Sequence, residues 1–225
     1  MSGRTIAIGD IHGCDAALET LLDELAITPD DTLVVLGDVI DRGPGSRAVI
    51  DRLIELHNAC HLKCLMGNHE EIFFDARAGG EWSQSWLRFG GQEMLDSYGG
   101  DIDHVPDSHV EFLRNMLPYW ESDQEIFVHA NLEPEVALEE QTPQWLRWER
   151  LTGDETPHAS GKRVVCGHTT QPSGYPAIAE GWLCIDTCVY GPGYLTALDT
   201  ATNALYQARQ DGTFRGQFSV EDLMA

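Results

Sequence analysis

The sequence is short of positive charge. Fourteen Lys and Arg stand against 37 Asp and Glu, a formal net charge of −23 at pH 7. A field of that sign repels polyanions, so a nucleic-acid-binding surface is not expected. Long apolar runs are missing as well, and nothing approaches the ~18 residues of a membrane span. Met1-Ser2-Gly3-Arg4 leads straight into a strand-like segment without the apolar stretch of a signal peptide, which sets a cytoplasmic expectation. Six Cys in 225 residues, with no such signal, are expected as reduced thiols and not as a disulfide frame. Internal repeats and low-complexity tracts are also lacking. A hydrophobic share of 42% excludes wholesale disorder. The length suits one large domain or two small ones and is ample for a buried core.

What is present is an alternation. Thr5-Ile6-Ala7-Ile8 is an apolar run ending in Gly9-Asp10 and reads as a buried strand. Asp15 to Ala26 sets Leu18, Leu21, Leu22 and Leu25 on one helical face, and Pro29-Asp30 closes it. Thr32 to Leu36 is a second strand, ending in Gly37-Asp38. Ser46 reads as the cap of a helix carrying Val49, Ile50, Leu53, Ile54 and Leu56. A third strand, His61 to Met66, ends in Gly67-Asn68-His69-Glu70. Strand and helix in turn predict a parallel α/β sheet, with ligands beyond the carboxyl ends of its strands.

Residues 76–120 read as a helical insertion. Gly79-Gly80, Gly90-Gly91 and Gly99-Gly100 punctuate it as hinges or helix C-caps. Trp82, Trp86 and Phe89 read as its core, a surface for stacking a base being the alternative. Further strands are expected at Glu125–Val128, ending in His129, and at Arg163–Cys166, ending in Gly167-His168. Runs at 182–185, 194–198 and 204–208 read as an antiparallel set. The tail from Asp211 reads as a polar, exposed extension.

The strand ends collect Asp10 and His12, then Asp38 with Asp41-Arg42, then Asn68-His69, His129 and His168. Singly, each is an ordinary turn residue or a buried histidine. Jointly, oxygen and nitrogen donors at five strand ends suit divalent Mn, Fe or Zn. Two such ions roughly 3.5–4 Å apart can clamp the attacking and leaving oxygens of a hydrolysis. The spacings Cys60-x-x-x-Cys64 and Cys184-x-x-x-Cys188 are too loose for a structural zinc.

Gly9-Asp10-Ile11-His12-Gly13, Gly37-Asp38-Val39-Ile40-Asp41-Arg42-Gly43 and Gly67-Asn68-His69-Glu70 resemble, in order and spacing, the signature of the phosphoprotein phosphatase family of metallophosphoesterases. The likeness is to its small bacterial and phage-type members, which include serine/threonine protein phosphatases and symmetrical diadenosine-tetraphosphate hydrolases. It implies one catalytic domain over 1–225, a β-sandwich flanked by helices, with a dinuclear site at the strand-end loops. It further implies that Asp10 and His12 hold one ion, that Asp38 bridges both, and that Asn68, His129 and His168 complete the second. Mn²⁺ is the expected metal, with Fe or Zn as alternatives.

By the same resemblance, His69 is the general acid, oriented by Asp41, and Arg42 binds phosphoryl oxygens. Trp148-Glu149-Arg150 fits a W-x-R element that supplies a second phosphate-binding arginine, Arg150, with Arg147 as competitor. Asn131, where the family often has Gly after the histidine, puts the local turn in question. Asp186 falls near the site or serves a turn. The implied reaction is phosphoester hydrolysis by metal-activated water, without a covalent phosphoenzyme. Phosphoserine or phosphothreonine in protein is the expected substrate, a small phosphoester otherwise. A dinucleoside-tetraphosphate hydrolase releasing two ADP is the alternative. A non-catalytic binding module would be expected to have lost ligands, and none is missing.

Overall fold

The computed structural model describes residues 3–224. Its first third alternates β1 (Thr5–Ile8), α1 (Asp15–Leu25), β2 (Thr32–Val35), α2 (Ser46–His57), β3 (His61–Cys64) and α3 (Asn68–Arg77). Next come α4 (Ser83–Trp86), a segment kinked at Gly90 (Leu87–Gly91), α5 (Gln92–Ser97) and α6 (Asp107–Arg114). β4 (Tyr119–Glu121), β5 (Glu125–Val128), α7 (Pro143–Trp148), β6 (Arg163–Cys166), β7 (Ala177–Ala179) and β8 (Trp182–Cys184) form the following block. β9 (Leu195–Asp199), β10 (Ala204–Ala208), β11 (Phe214–Ser219) and α8 (Val220–Met224) close it. No helix among the described residues is long and apolar enough to cross a membrane.

The strands form two sheets, ordered β11-β10-β9-β1-β2-β3 and β4-β5-β6-β8-β7. Strand alternation explains the layers. Ala7, Val34, Phe127, Val165 and Leu183 point between the sheets and pack with Leu36, Leu198 and Leu205. Their neighbours Ile6, Ile8, Leu33 and Val35 point outward, beneath the Leu18, Leu21 and Leu22 face of α1 and the Val49, Ile50 and Leu53 face of α2. Ile126, Val128, Val164 and Cys166 do the same on the second sheet, with Leu138 and Leu146. This is a mixed α/β fold with two packed sheets flanked by helices.

β1, β2 and β3 are mutually parallel, as are β5, β6 and β8. The carboxyl ends of each parallel set therefore fall on one edge of its sheet. The expected antiparallel set at 182–208 is split. β8 lies parallel to β6 in one sheet, whereas β9 runs antiparallel to β1 and β10 in the other. The tail is no loose extension, since β11 pairs with β10 and Val220 buries its side chain between the sheets. Phe214 packs against the outer core and Phe218 against the core between the sheets, so its few apolar residues serve two faces, which average polarity conceals. Ser46 lies one residue inside α2, with Gly45 at the cap, and its Oγ accepts the Asp41 N–H at 3.1 Å.

At the opposite edge, Asp31 fastens the sheet. Its carboxylate accepts from the Arg4 N–H (2.8 Å), Arg4 Nη2 (2.7 Å) and the Thr28 N–H (2.9 Å). Hydrogen bonds from the Arg4 side chain hold its pKa below the usual carboxylate range. Asp31→Asn should lower stability by about 1.5–3 kcal/mol at pH 7, the scale of hydrogen bonds to a charged group. A depressed folded pKa stabilises above the unfolded value of ~3.9, and the effect fades as pH falls toward the folded value. Urea unfolding should therefore show a wild-type advantage at pH 7 that shrinks below pH ~4; a gap independent of pH contradicts this assignment.

Candidate active site

The loops after β1, β2, β3, β5, β6 and β8 bring one residue set together. Asp10, His12, Asp38, Asp41, Asn68, His69, His129 and Asp186 are buried, while Arg42 and His168 are half-buried. Eight described non-glycine residues have positive φ, and five of them belong here: His12 (46°), Asp38 (46°), Asp41 (69°), Arg42 (67°) and His168 (59°). Each costs on the order of 1 kcal/mol, so the surrounding contacts must impose it. The Ile11 and His12 N–H groups both donate to the Asp38 carbonyl, at 3.1 and 2.8 Å, and Gly43 N–H donates to the His12 carbonyl at 2.8 Å. Glu70, fully buried, accepts from the Val39 N–H (2.8 Å), the Asp38 N–H (3.0 Å) and the Gly67 N–H (2.9 Å). One carboxylate thus ties the loop after β2 to the start of α3.

Asp38 sits at the centre. Its Oδ2 lies 3.6 Å from His12 Nε2 and its Oδ1 lies 3.5 Å from His129 Nε2. The backbone fixes each imidazole. His12 Nδ1–H donates to Ile40 C=O (3.1 Å), His129 Nδ1–H to Leu36 C=O (2.8 Å) and His168 Nε2–H to Trp148 C=O (3.1 Å). A carbonyl only accepts, so the neutral rings present lone pairs to the site at the other nitrogen. Asn68 Oδ1 then faces His129 Nε2 at 3.2 Å and His168 Nδ1 at 3.0 Å. Four acceptor atoms converge with no proton among them, and a bound cation would replace their mutual repulsion by ligation. Two groups result, His12–Asp38–His69 and Asp38–His129–His168, with Asp38 common to both.

Asp10 lies outside these two groups but beside them. Its Oδ2 accepts from the His168 N–H at 3.0 Å, and its Oδ1 is buried without a partner. Burial and the neighbouring Asp186 and Asp38 charges push its pKa well up, the mark of a carboxylate lacking a counter-charge. Burial opposes ionisation of Asp38 too, but the surrounding histidines hold its pKa below the usual range. Burial with Arg42 drives His12 well down, and burial with the His129 charge takes His168 to about 4. His69 goes the other way. Burial disfavours its charge, but Asp38 and Asp41 outweigh it and raise the pKa. Its Nδ1–H donates to Asp41 Oδ2 at 2.7 Å, which leaves Nε2 facing the mouth.

Arg42 forks across that mouth, with Nη1 2.9 Å from His12 Nε2 and Nη2 3.0 Å from His69 Nε2. Tyr190, 4.4 Å from the guanidinium, supports it from below. Arg147 is bound to Glu71 (3.1 Å), which also takes the Trp148 indole N–H (3.1 Å). Arg150 is exposed, and its charge reaches His168. Asn131 Nδ2 donates to the Arg150 carbonyl at 3.3 Å, and Asn131 is absent from the residues at positive φ, so the turn needs no glycine. Trp86 is core, but Trp82 and Phe89 are 39% and 45% exposed. Asp186, buried, accepts from Thr170 Oγ1 and the Cys188 N–H and acts on Asp10 by its charge.

This constellation has a counterpart in known proteins. The sequence profile of the calcineurin-like phosphoesterases matches residues 3–185. The chain belongs to that family. A symmetrical bis(5'-nucleosyl)-tetraphosphatase of Acidovorax ebreus is 48% identical over 64 residues, 28% of this chain and 22% of that protein. Serine/threonine-protein phosphatase 1 of Salmonella typhimurium is 42% identical over 85 residues, 37% of each. The matched segments thus span well under half of either relative. A cold-active protein tyrosine phosphatase superposes with a TM-score of 0.67 at 19% identity, covering 96% of this chain and 78% of that one, a likeness of fold.

Calcineurin-like phosphoesterases use divalent metals, and the donors here fit such ions: oxygen and imidazole ligands, an orphaned buried carboxylate oxygen and an acceptor-only cluster. Sequence reasoning passed over the clamp at Glu70, the support by Tyr190, and the indole of Trp86, whose Nε1–H donates to both Asp41 oxygens. Glu70 alone carried a signal, as part of the third motif. Space around the carboxylates is tight: a Cβ on Gly167 would overlap Asp10 Oδ1, and one on Gly67 would overlap Asp38 Oδ1. Gly167→Ala should therefore fold yet displace Asp10. Saturating Mn²⁺ should raise the Tm of the wild-type phosphoesterase, as any ligand of the native state does, and raise that of Gly167→Ala less. Equal Mn²⁺-induced shifts would remove Asp10 from the ion site.

Proposed function

We propose that this chain is a metal-dependent phosphomonoesterase acting on phosphoserine and phosphothreonine in proteins. In this reading Asp10, His12 and Asp38 hold one divalent ion, and Asp38, Asn68, His129 and His168 hold the other, with Mn²⁺ suited to the mixed nitrogen and oxygen donors. Such a pair, when bound, neutralises phosphoryl charge and acidifies water. Arg42 and Arg150 grip phosphoryl oxygens through charge-assisted, bidentate hydrogen bonds. His69, held by Asp41, gives the Nε2 proton to the departing alkoxide. Its ring cannot swivel away while Nδ1–H is bound to a buried carboxylate.

The supply of cations supports one phosphoryl group over a polyphosphate. Arg42 and Arg150 are the arginines whose charge is felt at the site histidines, and neither is paired with a carboxylate among the described residues. Arg147, the remaining candidate, is neutralised by Glu71. A tetraphosphate would present several further charges to a strongly acidic surface. The second reading, symmetrical hydrolysis of a dinucleoside tetraphosphate, is favoured by the Acidovorax relative and by the exposed Trp82 and Phe89, whose faces can stack a base.

One experiment separates them. With Mn²⁺ supplied, kcat/KM for phosphoserine and phosphothreonine peptides should exceed that for diadenosine tetraphosphate, and chelation should abolish both activities. Arg42→Ala and Arg150→Ala should each raise KM by roughly tenfold or more, through loss of hydrogen bonds to a charged group, whereas Arg147→Ala should not. Release of two ADP from diadenosine tetraphosphate with the peptides left intact would replace the first reading by the second.

A further inference from the structure

The insertion meets the candidate active site at Trp86 and Gly90. Trp86, 2% exposed at the end of α4, donates its indole N–H to both oxygens of Asp41, at 3.1 and 3.0 Å. Among the described residues, His69 and Trp86 are the side chains bonded to that carboxylate. Four residues on, the Gly90 carbonyl accepts the Arg42 N–H at 3.0 Å. Asp41 and Arg42 are consecutive and both lie in the left-handed region, at φ 69° and 67°. A non-glycine pair in that conformation persists only where neighbours hold it. The insertion supplies one hydrogen bond to each residue.

The glycine pair makes the approach possible. Gly90 has φ 113°, and a Cβ there would meet the Arg42 N and Cα atoms. A Cβ on Gly91 would enter the Trp86 indole. Gly90 leaves the helical conformation between two helices, as a helix-ending glycine does, and Gly91 gives the indole its room. The kink at Gly90 lets the backbone press on Arg42 while the ring reaches Asp41. Phe73, its ring centroid 5.8 Å away, braces the other side of the indole.

We propose that Trp86, seated by the Gly90–Gly91 turn, is a positioning residue for hydrolysis. It fixes the rotamer of Asp41, and through it the ring of His69, while Gly90 fixes the backbone of Arg42. This rests on the roles given above to His69 and Arg42. Proton delivery to the leaving group and grip on the phosphoryl group then fail separately when the two contacts are broken separately.

Trp86→Phe keeps an aromatic ring at this place and removes the N–H donor. In the full-length Mn²⁺-loaded protein, it should lower kcat about 10–100-fold on an alkyl phosphate, the usual cost of losing an orienting hydrogen bond behind a catalytic group. On an aryl phosphate, whose leaving group barely needs a proton, the loss should be under about threefold, with KM unchanged on both. Gly90→Ala should instead raise KM by a similar factor on both esters. If Trp86→Phe does not fold, the comparison is made on Gly91→Ala, whose methyl displaces the indole. Equal kcat losses on alkyl and aryl esters, or no loss on the alkyl ester, overturn the positioning role. A wild-type protein inactive on both esters with Mn²⁺ overturns the phosphoesterase reading itself, and the inference with it.

Discussion

The Asp38 carboxylate is the constraint on which the rest of the site depends. One oxygen faces His12 on a loop of the first sheet, and the other faces His129 on a loop of the second. The residue reaches that place only in a left-handed conformation at φ 46°. Its carbonyl is occupied by two N–H groups of the loop after β1, its N–H by Glu70, and its Oδ1 by the His69 N–H at 3.0 Å. Every strained residue nearby is tied to this network directly or one contact away. The packed sheets explain why it can exist: two sets of parallel strands must end along the same edge for their loops to meet.

Electrostatics makes the same point from another side. Asp10, Asp38 and Asp186 are buried close together, so that Asp186 and Asp38 raise the cost of charging Asp10, and Asp38 that of charging Asp186. In a protein with a net charge of −23, the outer surface offers no relief. Among the described residues, Arg42 is the cation bonded within this cluster, and it faces the imidazoles His12 and His69. Divalent ions in the two acceptor groups would remove the frustration and create a local positive field within a negative shell. At physiological salt, screening over ~8 Å keeps that field separate from the surface charge.

Much of this was legible from residue order. Apolar runs of four or five residues that stop at Asp, Asn or His mark strand ends, and the structure brings all of those ends together. What escaped is what depends on a partner distant in sequence. Trp86 reads as core because it is core; that its one polar atom is spent on Asp41, 45 residues away, has no local trace. Gly90 and Gly91 look like helix punctuation, since close approach and chain reversal select the same residue. Arg147 and Arg150 differ in the sequence only by register, and that Glu71, contributed by α3, pairs with Arg147 has no local trace either. The switch of β8 and β9 into different sheets follows from packing of the two sheets and not from the length of the turns between them.

The central claim is that two ions share one carboxylate. Equilibrium dialysis against Mn²⁺ followed by elemental analysis tests it without reference to any substrate. The wild-type protein should retain two ions per chain. His12→Ala should retain one, and Asp38→Asn should lose affinity for both, because each ion loses the same anionic ligand. An Asp38→Asn protein that still binds two ions with wild-type affinity, or a wild-type protein that saturates at one, would contradict the account.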